Sequence, residues 1–170
     1  NKASEIDINL HGIEVIDPNN NNNQSKMVED LFLRRSRKGM TKEKANRLIG
    51  TNNDYFGAMM VETGACDGMV SGLTRPYPDV IRPVIECIGT DADESAALCA
   101  VYMIFKDNEP YFFADTAVHV RPNADQLARI AMTVSEFVRQ LDIEPKVAML
   151  SFSSFGSARS EESSVVAQAV

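Results

Sequence analysis

Histidine, cysteine and tryptophan are scarce in this chain, which has two histidines, three cysteines and no tryptophan among 170 residues. Cys66, Cys87 and Cys99 form no CxxC pair, and His11 and His119 lie far apart in the sequence. A zinc site needs such ligands at close spacing, so we expect no metal in this chain. Unpaired thiols are typical of a reducing compartment, so we expect a cytoplasmic protein whose cysteines are small buried side chains.

Long apolar runs and positive charge are also lacking. No stretch reaches the roughly 20 apolar residues that cross a membrane, and the first residues lack the basic and then apolar pattern of a secretory signal. Lys and Arg number 17 against 24 Asp and Glu, which gives a net charge of −7. Because nucleic-acid binding depends on an electropositive face, we expect neither a nucleic-acid partner nor a membrane partner.

Three common sequence signatures are missing as well. The chain has no GxGxxG dinucleotide fingerprint, no GxxxxGK[ST] P-loop and no GxSxG nucleophile elbow. The residues alone therefore indicate an α/β domain with candidate anion-binding loops, and they assign no reaction.

What the sequence does contain is an alternation of short apolar runs and helix-like stretches. The apolar runs predict strands at 12–17, 67–72, 96–105, 109–118 and 146–152, the third and fourth joined as a hairpin. Helical spacing of apolar residues predicts helices at 27–39, 41–50, 55–64, 78–89, 121–141 and after 160. This alternation predicts an α/β fold with a mixed sheet, in which ligands bind beyond the carboxyl ends of the strands.

Small polar residues mark where several of these helices begin. A side-chain oxygen just before a helix can accept a hydrogen bond from the free backbone N–H groups of the first turn. The predicted caps are Thr41, Asp54, Asn123 with Gln126 in a capping box, and either Ser160 or Ser163.

A basic cluster at 34–38 stands out in this acidic chain. It places Arg34, Arg35, Arg37 and Lys38 directly before Gly39. Arginine suits phosphate because its planar fork binds two oxygens at once. The alternative is a solvated helix end whose cations complement the helix dipole.

The stretch SGLTRPYPDVIRP at 71–83 follows the predicted strand 67–72. Its small donors and two arginines could hold a phosphate or a pyrophosphate group. The alternative is a surface loop in which Arg82 pairs with Asp79. The residues concerned are Ser71, Gly72, Thr74, Arg75 and Arg82.

Two further stretches are candidates for binding or catalysis. Asp115 ends an apolar strand and could act as a base, although a turn-forming role is the more common one. His119 has no evident partner, which favours a structural role. After the run KVAML, residues 151–164 contain seven serines, and these residues suit either an anion site or an ordinary turn.

Several of these stretches resemble the phosphate acetyltransferases, or phosphotransacetylases, in order and in spacing. The stretches are LRRSRKGMTKEKA, NDYFGAMMVETGACDGMVSGL, DVIRP, FFADTAV with PNADQLARIA, and EPKVAMLSFSSFGSARS. They extend from about residue 12 to residue 170. The resemblance implies that residues 1–170 are part of one phosphate acetyltransferase-like domain that lacks the family's C-terminal segment.

Two loops depart from the free-standing transferases. LTRPYPDV stands where a histidine- and threonine-containing loop is usual, and AVHVRPN stands in place of an AVNPNP-like run. These variants resemble the phosphotransacetylase-like C-terminal domain of bacterial NADP-dependent malic enzymes. That resemblance implies an acetyl-CoA-sensing, regulatory and oligomerising domain. Its N-terminal malic enzyme partner domain would hold NADP and a divalent metal and convert malate to pyruvate.

The resemblance also implies a fold, an assembly and a ligand site. The fold is two-lobed α/β, similar to isocitrate and isopropylmalate dehydrogenases, in a homo-oligomer of two or more subunits. The ligand in the cleft is acetyl-CoA, CoA or acetyl phosphate, and this chain holds no cofactor of its own. By motif position, the ligand-binding residues are Arg35 (or Arg34 if the register shifts), Ser71, Gly72, Thr74, Arg82, Ser153, Ser154 and Gly156.

The departures leave three hypotheses. The family's serine, arginine and aspartate closest to the thiol chemistry would lie beyond Val170, so we expect no turnover from this chain alone. The favoured hypothesis is the malic enzyme sensor domain. The alternatives are a fragment of an active phosphate acetyltransferase, which makes acetyl-CoA from acetyl phosphate and CoA, and a structural domain that builds dimers and binds nothing.

Overall fold

The computed structural model describes residues 5–90, 97–153 and 156–170. The chain divides into two compact units, Asn1–Gly89 and Thr90–Val170, called here the N-terminal and the C-terminal unit. The sequence pattern shows no boundary at Gly89, although the resemblance implies two lobes. Within the described residues, no helix is both long and apolar enough to cross a membrane.

The N-terminal unit is helical. Its elements are α1 (Gln24–Arg35), a 3₁₀ turn (Ser36–Lys38), α2 (Lys42–Thr51), α3 (Asn53–Glu62) and α4 (Tyr77–Cys87). Gly39 ends the 3₁₀ turn with φ of 83°, a left-handed conformation that glycine adopts without steric cost. The predicted helices at 27–39, 41–50, 55–64 and 78–89 are therefore confirmed, with ends shifted by a few residues.

Capping side chains fix the starts of α2 and α3. Thr41 Oγ1 accepts from Lys44 N at 3.2 Å, as the sequence predicts. For α3 the predicted cap is wrong, because the side chain of Asn52 accepts from the backbone N–H groups of Asp54 and Tyr55. Asp54 lies inside the first turn of α3, and its carboxylate accepts hydrogen bonds from Ser71 and Arg75 instead.

The apolar faces of all four helices form the core of the N-terminal unit. The fully buried side chains include Met27 and Leu31 of α1, Ile49 of α2 and Met59 of α3. Burying each such side chain away from water stabilises the fold by about 1.5–3 kcal/mol. The remaining buried hydrophobic residues of this core are Met40, Ala45, Tyr55, Phe56, Ala58 and Cys87.

The C-terminal unit begins with the predicted hairpin, which is confirmed. Strand β1 (Val101–Lys106) pairs antiparallel with β2 (Glu109–Ala114), and both strands are shorter than predicted. The turn residues Asp107 and Asn108 have φ of 52° and 66°. Positive φ at both positions matches the right-handed strand twist, so this pair of residues fixes the register.

Two capped helices complete the C-terminal unit, α5 (Ala124–Arg139) and α6 (Glu161–Ala169). Asn123 and Gln126 form the predicted capping box at the start of α5. Ser160 is the cap of α6, and Ser163 completes a second capping box. Phe137 of α5 meets Phe112 of β2 edge to face, with ring centroids 6.3 Å apart.

Three predicted strands, 12–17, 67–72 and 146–152, are wrong. A segment becomes a strand only where a neighbour supplies the hydrogen bonds of a ladder. In the described ranges the sheet contains β1 and β2 alone. Val15, Val70 and Leu150, which a buried strand would cover, are 80%, 102% and 77% exposed. The mixed sheet predicted from the sequence is therefore replaced by a two-stranded antiparallel one.

Candidate functional site

In the N-terminal unit, one buried carboxylate holds both ends of the loop that follows residue 70. Ser71 Oγ donates to Asp54 Oδ1 at 2.5 Å. Arg75 Nη1 donates to Asp54 Oδ2 at 2.8 Å and to Asn52 Oδ1 at 3.2 Å. Asp54 is only 4% exposed. Since a buried charge is costly unless it is paired, these contacts fix where the loop Ser71–Arg75 begins and ends.

The tip of this loop faces solvent. Gly72 has φ of 129°, a value that L side chains rarely adopt, and its carbonyl accepts from Arg75 N at 2.8 Å. Leu73 is fully exposed and Thr74 is exposed too. The structure thus places Ser71, Gly72 and Thr74 in one turn. The Ser71 hydroxyl, however, already donates its hydrogen bond to Asp54.

A second polar network joins α1, α3 and α4. Tyr55 Oη donates to Glu86 Oε2 at 2.7 Å, and Arg35 Nη2 lies 3.6 Å from Glu86 Oε1. Burial, and then the hydrogen bond to Glu86, raises the pKa of Tyr55 well above its usual range. Tyr55 is therefore a neutral donor, and Glu86 ties it to Arg35.

Arg82 lies near this network without being tied to it. Its positive charge opposes, as the smallest of the effects, the rise in the pKa of Tyr55, and its own side chain is exposed on α4. Among the described residues, Arg82 has neither a hydrogen-bond partner nor an ion-pair partner, so the alternative of a pair with Asp79 is wrong. Its guanidinium can therefore meet an anion from solvent.

The basic cluster at 34–38 divides into two kinds of cation. Arg34 forms an ion pair with Glu62, and its Nη1 donates to the Ile88 carbonyl at 3.1 Å. Within the described ranges, the side chain of Arg35 makes only the longer contact with Glu86. Arg34 therefore links helices, and Arg35 remains the better candidate for a ligand.

The thiol nearest this network is protonated. Cys87 is fully buried, and burial raises its pKa to about 12, with the Glu86 charge acting in the same direction. The expectation of a small buried side chain is confirmed for Cys87. It is wrong for Cys66, which is exposed.

In the C-terminal unit, Asp115 is the most heavily hydrogen-bonded side chain. Its Oδ1 accepts from the backbone N–H groups of Ala100, Ala117 and Val118. Its Oδ2 accepts from His119 N at 2.8 Å and from His119 Nδ1 at 2.7 Å. Burial raises the pKa of Asp115, but these donors outweigh it and hold the pKa below its usual range.

Two predictions about this turn are thereby decided. Asp115 forms the turn and has no free lone pair with which to act as a base, so the turn-forming alternative is confirmed. The expectation that His119 lacks a partner is wrong, because its partner is Asp115.

The serine-rich loop uses several of its own hydroxyls. Ser153 Oγ accepts from Ala158 N at 3.1 Å, and Ser151 Oγ donates to the Ser153 carbonyl at 3.2 Å. Gly156 has φ of 75°, and Ser154 lies outside the described residues. Ser153 and Gly156 therefore shape the turn that precedes α6.

Comparison with known proteins identifies the family. The family model for phosphate acetyl/butaryl transferase matches residues 1–170, the whole chain.

The chain belongs to the phosphate acetyl/butyryltransferase family.

Relatives and solved structures agree with this assignment. A phosphate acetyltransferase of Bacillus subtilis (strain 168) is 37% identical over 169 residues, covering 99% of this chain and 51% of the relative. A phosphotransacetylase structure from Staphylococcus aureus matches with a TM-score of 0.84 and 32% identity, covering 99% and 50%. One from Streptococcus pyogenes matches with a TM-score of 0.83 and 34% identity, covering 98% and 50%. The chain spans about half the length of these phosphotransacetylases.

Sequence reasoning located the phosphotransacetylase-like loops but missed what holds them. It took Asp54 for a helix cap, although Asn52, two residues earlier, offers the same oxygen. It also gave no role to the Tyr55–Glu86 pair. An acidic residue in an otherwise apolar stretch, as in DYFGAMM, is the signal that could have pointed to a buried, paired carboxylate.

Proposed function

We propose that this chain is part of a phosphate acetyltransferase, which moves an acetyl group between phosphate and the thiol of CoA. The carrying observation is the guanidinium of Arg82, which is unpaired within the described part of the chain and lies beside the Tyr55–Glu86–Arg35 network. A free cation next to partly satisfied donors suits a phosphoryl group, whose oxygens take several charge-assisted hydrogen bonds. The activity of the relatives, phosphate acetyltransferase, supports the same chemistry.

Each residue of the N-terminal site has a role in this proposal. Arg82 binds the phosphoryl oxygens directly, because no hydrogen-bond or ion-pair partner among the described residues holds its guanidinium. Arg35 adds a second cation, since its 3.6 Å contact with Glu86 is too long for a good hydrogen bond. The backbone of Gly72 and the hydroxyl of Thr74 are donors on the exposed tip of the loop Ser71–Arg75.

The serine-rich loop of the C-terminal unit is assigned to CoA or to acetyl-CoA. Ser153, Ser154 and Gly156 carry this assignment by motif position only. The dimer or higher oligomer likewise remains a prediction.

The malic enzyme hypothesis has less support than the transferase. The relatives and structures reported above are phosphate acetyltransferases and phosphotransacetylases, and none of them is a malic enzyme. NADP and a divalent metal belong to that hypothesis alone. We therefore favour the transferase over the malic enzyme sensor domain.

Binding of acetyl phosphate tests the anion site in this chain itself. Calorimetry with acetyl phosphate and with inorganic phosphate should show binding that Arg82→Ala weakens about tenfold or more, because a charge-assisted contact contributes about 1.5–3 kcal/mol. Arg129→Ala is the matched control, since Arg129 is a half-exposed arginine of the C-terminal unit that pairs with Asp125. Equal affinity of wild type and Arg82→Ala would remove Arg82 from the site.

The reaction is tested in the protein as the cell produces it. Acetyl-CoA should form from acetyl phosphate and CoA, and Arg82→Ala should slow its formation. If no acetyl-CoA forms, and malate-dependent NADPH formation responds to acetyl-CoA instead, the sensor hypothesis replaces the transferase.

A further inference from the structure

Glu86 of α4 joins two other helices of the N-terminal unit through contacts of unequal length. Its Oε2 accepts from Tyr55 Oη at 2.7 Å, whereas its Oε1 lies 3.6 Å from Arg35 Nη2. A charge-assisted hydrogen bond between a nitrogen and a carboxylate is about 2.7–2.9 Å long. Glu86 is therefore firmly bound to Tyr55 on α3 and only loosely paired with Arg35 on α1.

The Tyr55 side of this network is fixed by the core. Tyr55 is 6% exposed and packs among the buried residues of the N-terminal unit. Cys87, the residue after Glu86, is fully buried, and its Sγ donates to the Tyr55 carbonyl at 3.9 Å. The Glu86 carboxylate cannot move far without breaking its bond to a buried hydroxyl, so it stays in place when a ligand binds.

The Arg35 side of the network is free to move. The backbone of Arg35 is held at the end of α1, where its carbonyl accepts from Met40 N at 3.2 Å. Its side chain makes only the long contact with Glu86 within the described ranges. The side chains of Arg35 and Glu86 are each 20% exposed. An anion from solvent can therefore reach the guanidinium and draw it away from the carboxylate.

Glu86 also lies one helical turn from the free cation of the site. Arg82 and Glu86 are four residues apart on α4 and so share a face of that helix. In the described part of the chain no ion pair joins them, and a cation that precedes a glutamate by one turn is the weaker arrangement. An anion bound to Arg82 therefore meets the Glu86 charge nearby and competes with it for Arg35.

We propose that Glu86 is a positioning residue that lowers the affinity of the anion site by competing with the phosphoryl group for Arg35. The inference rests on the proposed function, which assigns Arg35 and Arg82 to that group. Without an anion, Glu86 neutralises Arg35 and keeps its guanidinium beside α4. When a phosphoryl group binds to Arg82, Arg35 leaves Glu86 and turns to the phosphoryl oxygens. Because Glu86 stays bound to Tyr55, it recaptures Arg35 when phosphate leaves.

Glu86→Gln tests this competition, because the amide keeps an oxygen for the Tyr55 hydroxyl and loses the charge. Calorimetry with inorganic phosphate and with acetyl phosphate should show about fivefold tighter binding at low salt, the fold-change that a partly exposed ion pair gives. The gain should shrink at high salt, because salt screens the pair. Glu62→Gln is the matched control, since it removes the same charge from the ion pair with Arg34, and its affinity should stay at the wild-type value.

Tyr55→Phe should change the affinity in the opposite direction. It keeps the ring in the core and removes the hydroxyl that holds Glu86 Oε2. Both carboxylate oxygens are then available to Arg35, so phosphate binding should weaken severalfold. A network that served stability alone would lower the melting temperature without giving affinities of opposite sign. This variant also decides the matter if Glu86→Gln does not fold, because wild-type or tighter binding by Tyr55→Phe would overturn the inference.

A second change at Arg35 shows whether Glu86 acts through it. In an Arg35→Ala background, Glu86→Gln should leave the affinity unchanged, because no guanidinium remains to compete for. An undiminished gain in that background would overturn the inference, and so would a wild-type affinity of Glu86→Gln itself. Both results would leave the proposed function intact. Absence of phosphate binding by the wild type would overturn both the inference and the anion site of the proposed function.

Discussion

At the scale of single residues, two buried aspartates show that a buried carboxylate organises the hydrogen-bond donors around it. Asp54 accepts from side chains that lie 17 and 21 residues away in sequence, whereas Asp115 accepts from groups that include its own turn. Each must find donors, because an unpaired buried charge costs several kcal/mol. Asp54 thereby fixes a distant loop, and Asp115 fixes the imidazole four residues on.

Acid should destabilise the C-terminal unit through Asp115. Its pKa is lower in the folded chain than in the unfolded chain, so the unfolded state binds the additional proton on acidification. Asp115 thus contributes stability above its unfolded pKa of about 4, and this is lost as pH falls toward the folded pKa. Urea unfolding, followed by NMR signals of α5, should show this loss between pH 5 and pH 3.

Asp115→Asn is the comparison for that measurement. The variant should be less stable at pH 5 and should change less between pH 5 and pH 3, because the titrating group is gone. An acid loss as large as that of the wild type would assign the effect to other carboxylates.

Asp54 and Arg75 should prove energetically coupled. Asp54→Asn and Arg75→Ala should each lower the free energy of unfolding by about 1–3 kcal/mol, and the double variant should lose less than the sum. The coupling arises because each single change leaves its former partner without the ion pair. Asp67→Asn, at an exposed position before the loop, is the control. Additive losses would show that the 2.8 Å contact contributes nothing.

At the scale of elements, helices were predictable and strands were not. A helix satisfies its backbone within itself, so caps and spacing were enough to place α2, α5 and α6. A strand depends on a partner elsewhere, and the apolar residues at 67–72 and 146–152 carry no information about whether one is present. The hairpin was the exception, because Asp107 and Asn108 encode its turn locally.

The capping box of α5 gives a direct test of this local control. Asn123→Ala should lower the free energy of unfolding by about 1 kcal/mol, because the N–H of Gln126 loses its acceptor at 2.8 Å. Asn46→Ala, at an exposed site inside α2, should be neutral or slightly stabilising, since alanine favours helix interiors. Thermal unfolding of both variants measures the contrast, and equal losses would refute a capping role.

At the scale of the whole molecule, buried side chains are concentrated in the N-terminal unit. Four helices supply its core, whereas the buried hydrophobic residues described in the C-terminal unit are Ile130 and Val138 alone. Strands β1 and β2 carry large exposed apolar side chains, including Tyr102 and Phe105 at 62% and 64% exposure. A two-stranded hairpin is only marginally stable unless other elements cover it.

Hydrogen exchange should therefore differ between the two units. Backbone amides of α2 and α3 should exchange on the order of a hundredfold more slowly than those of β1 and β2, because opening the N-terminal unit exposes its whole core. Exchange followed by NMR measures both in one sample. Equal protection would mean that the hairpin is covered by contacts in solution.

The residues of the candidate site could be predicted only where they lie in motifs that resemble the family. The resemblance pointed to Arg82 and to the loop after residue 70. The structure adds what a linear pattern cannot give: Ser71 is anchored by Asp54, and Arg82 has no hydrogen-bond or ion-pair partner among the residues it describes. The partner of His119 lay four residues away, but in a turn rather than a helix. Helical spacing therefore gave no reason to pair them.

The anchoring of the loop Ser71–Arg75 also bears on how such a chain can change over generations. Both ends of the loop are held by Asp54, while Leu73 and Thr74 between them project into solvent. Replacing those two residues costs the fold little, so mutations can accumulate there while Asp54 keeps the loop in place. A library randomised at these two positions should thus yield mostly folded proteins, from which altered ligand preference can be selected.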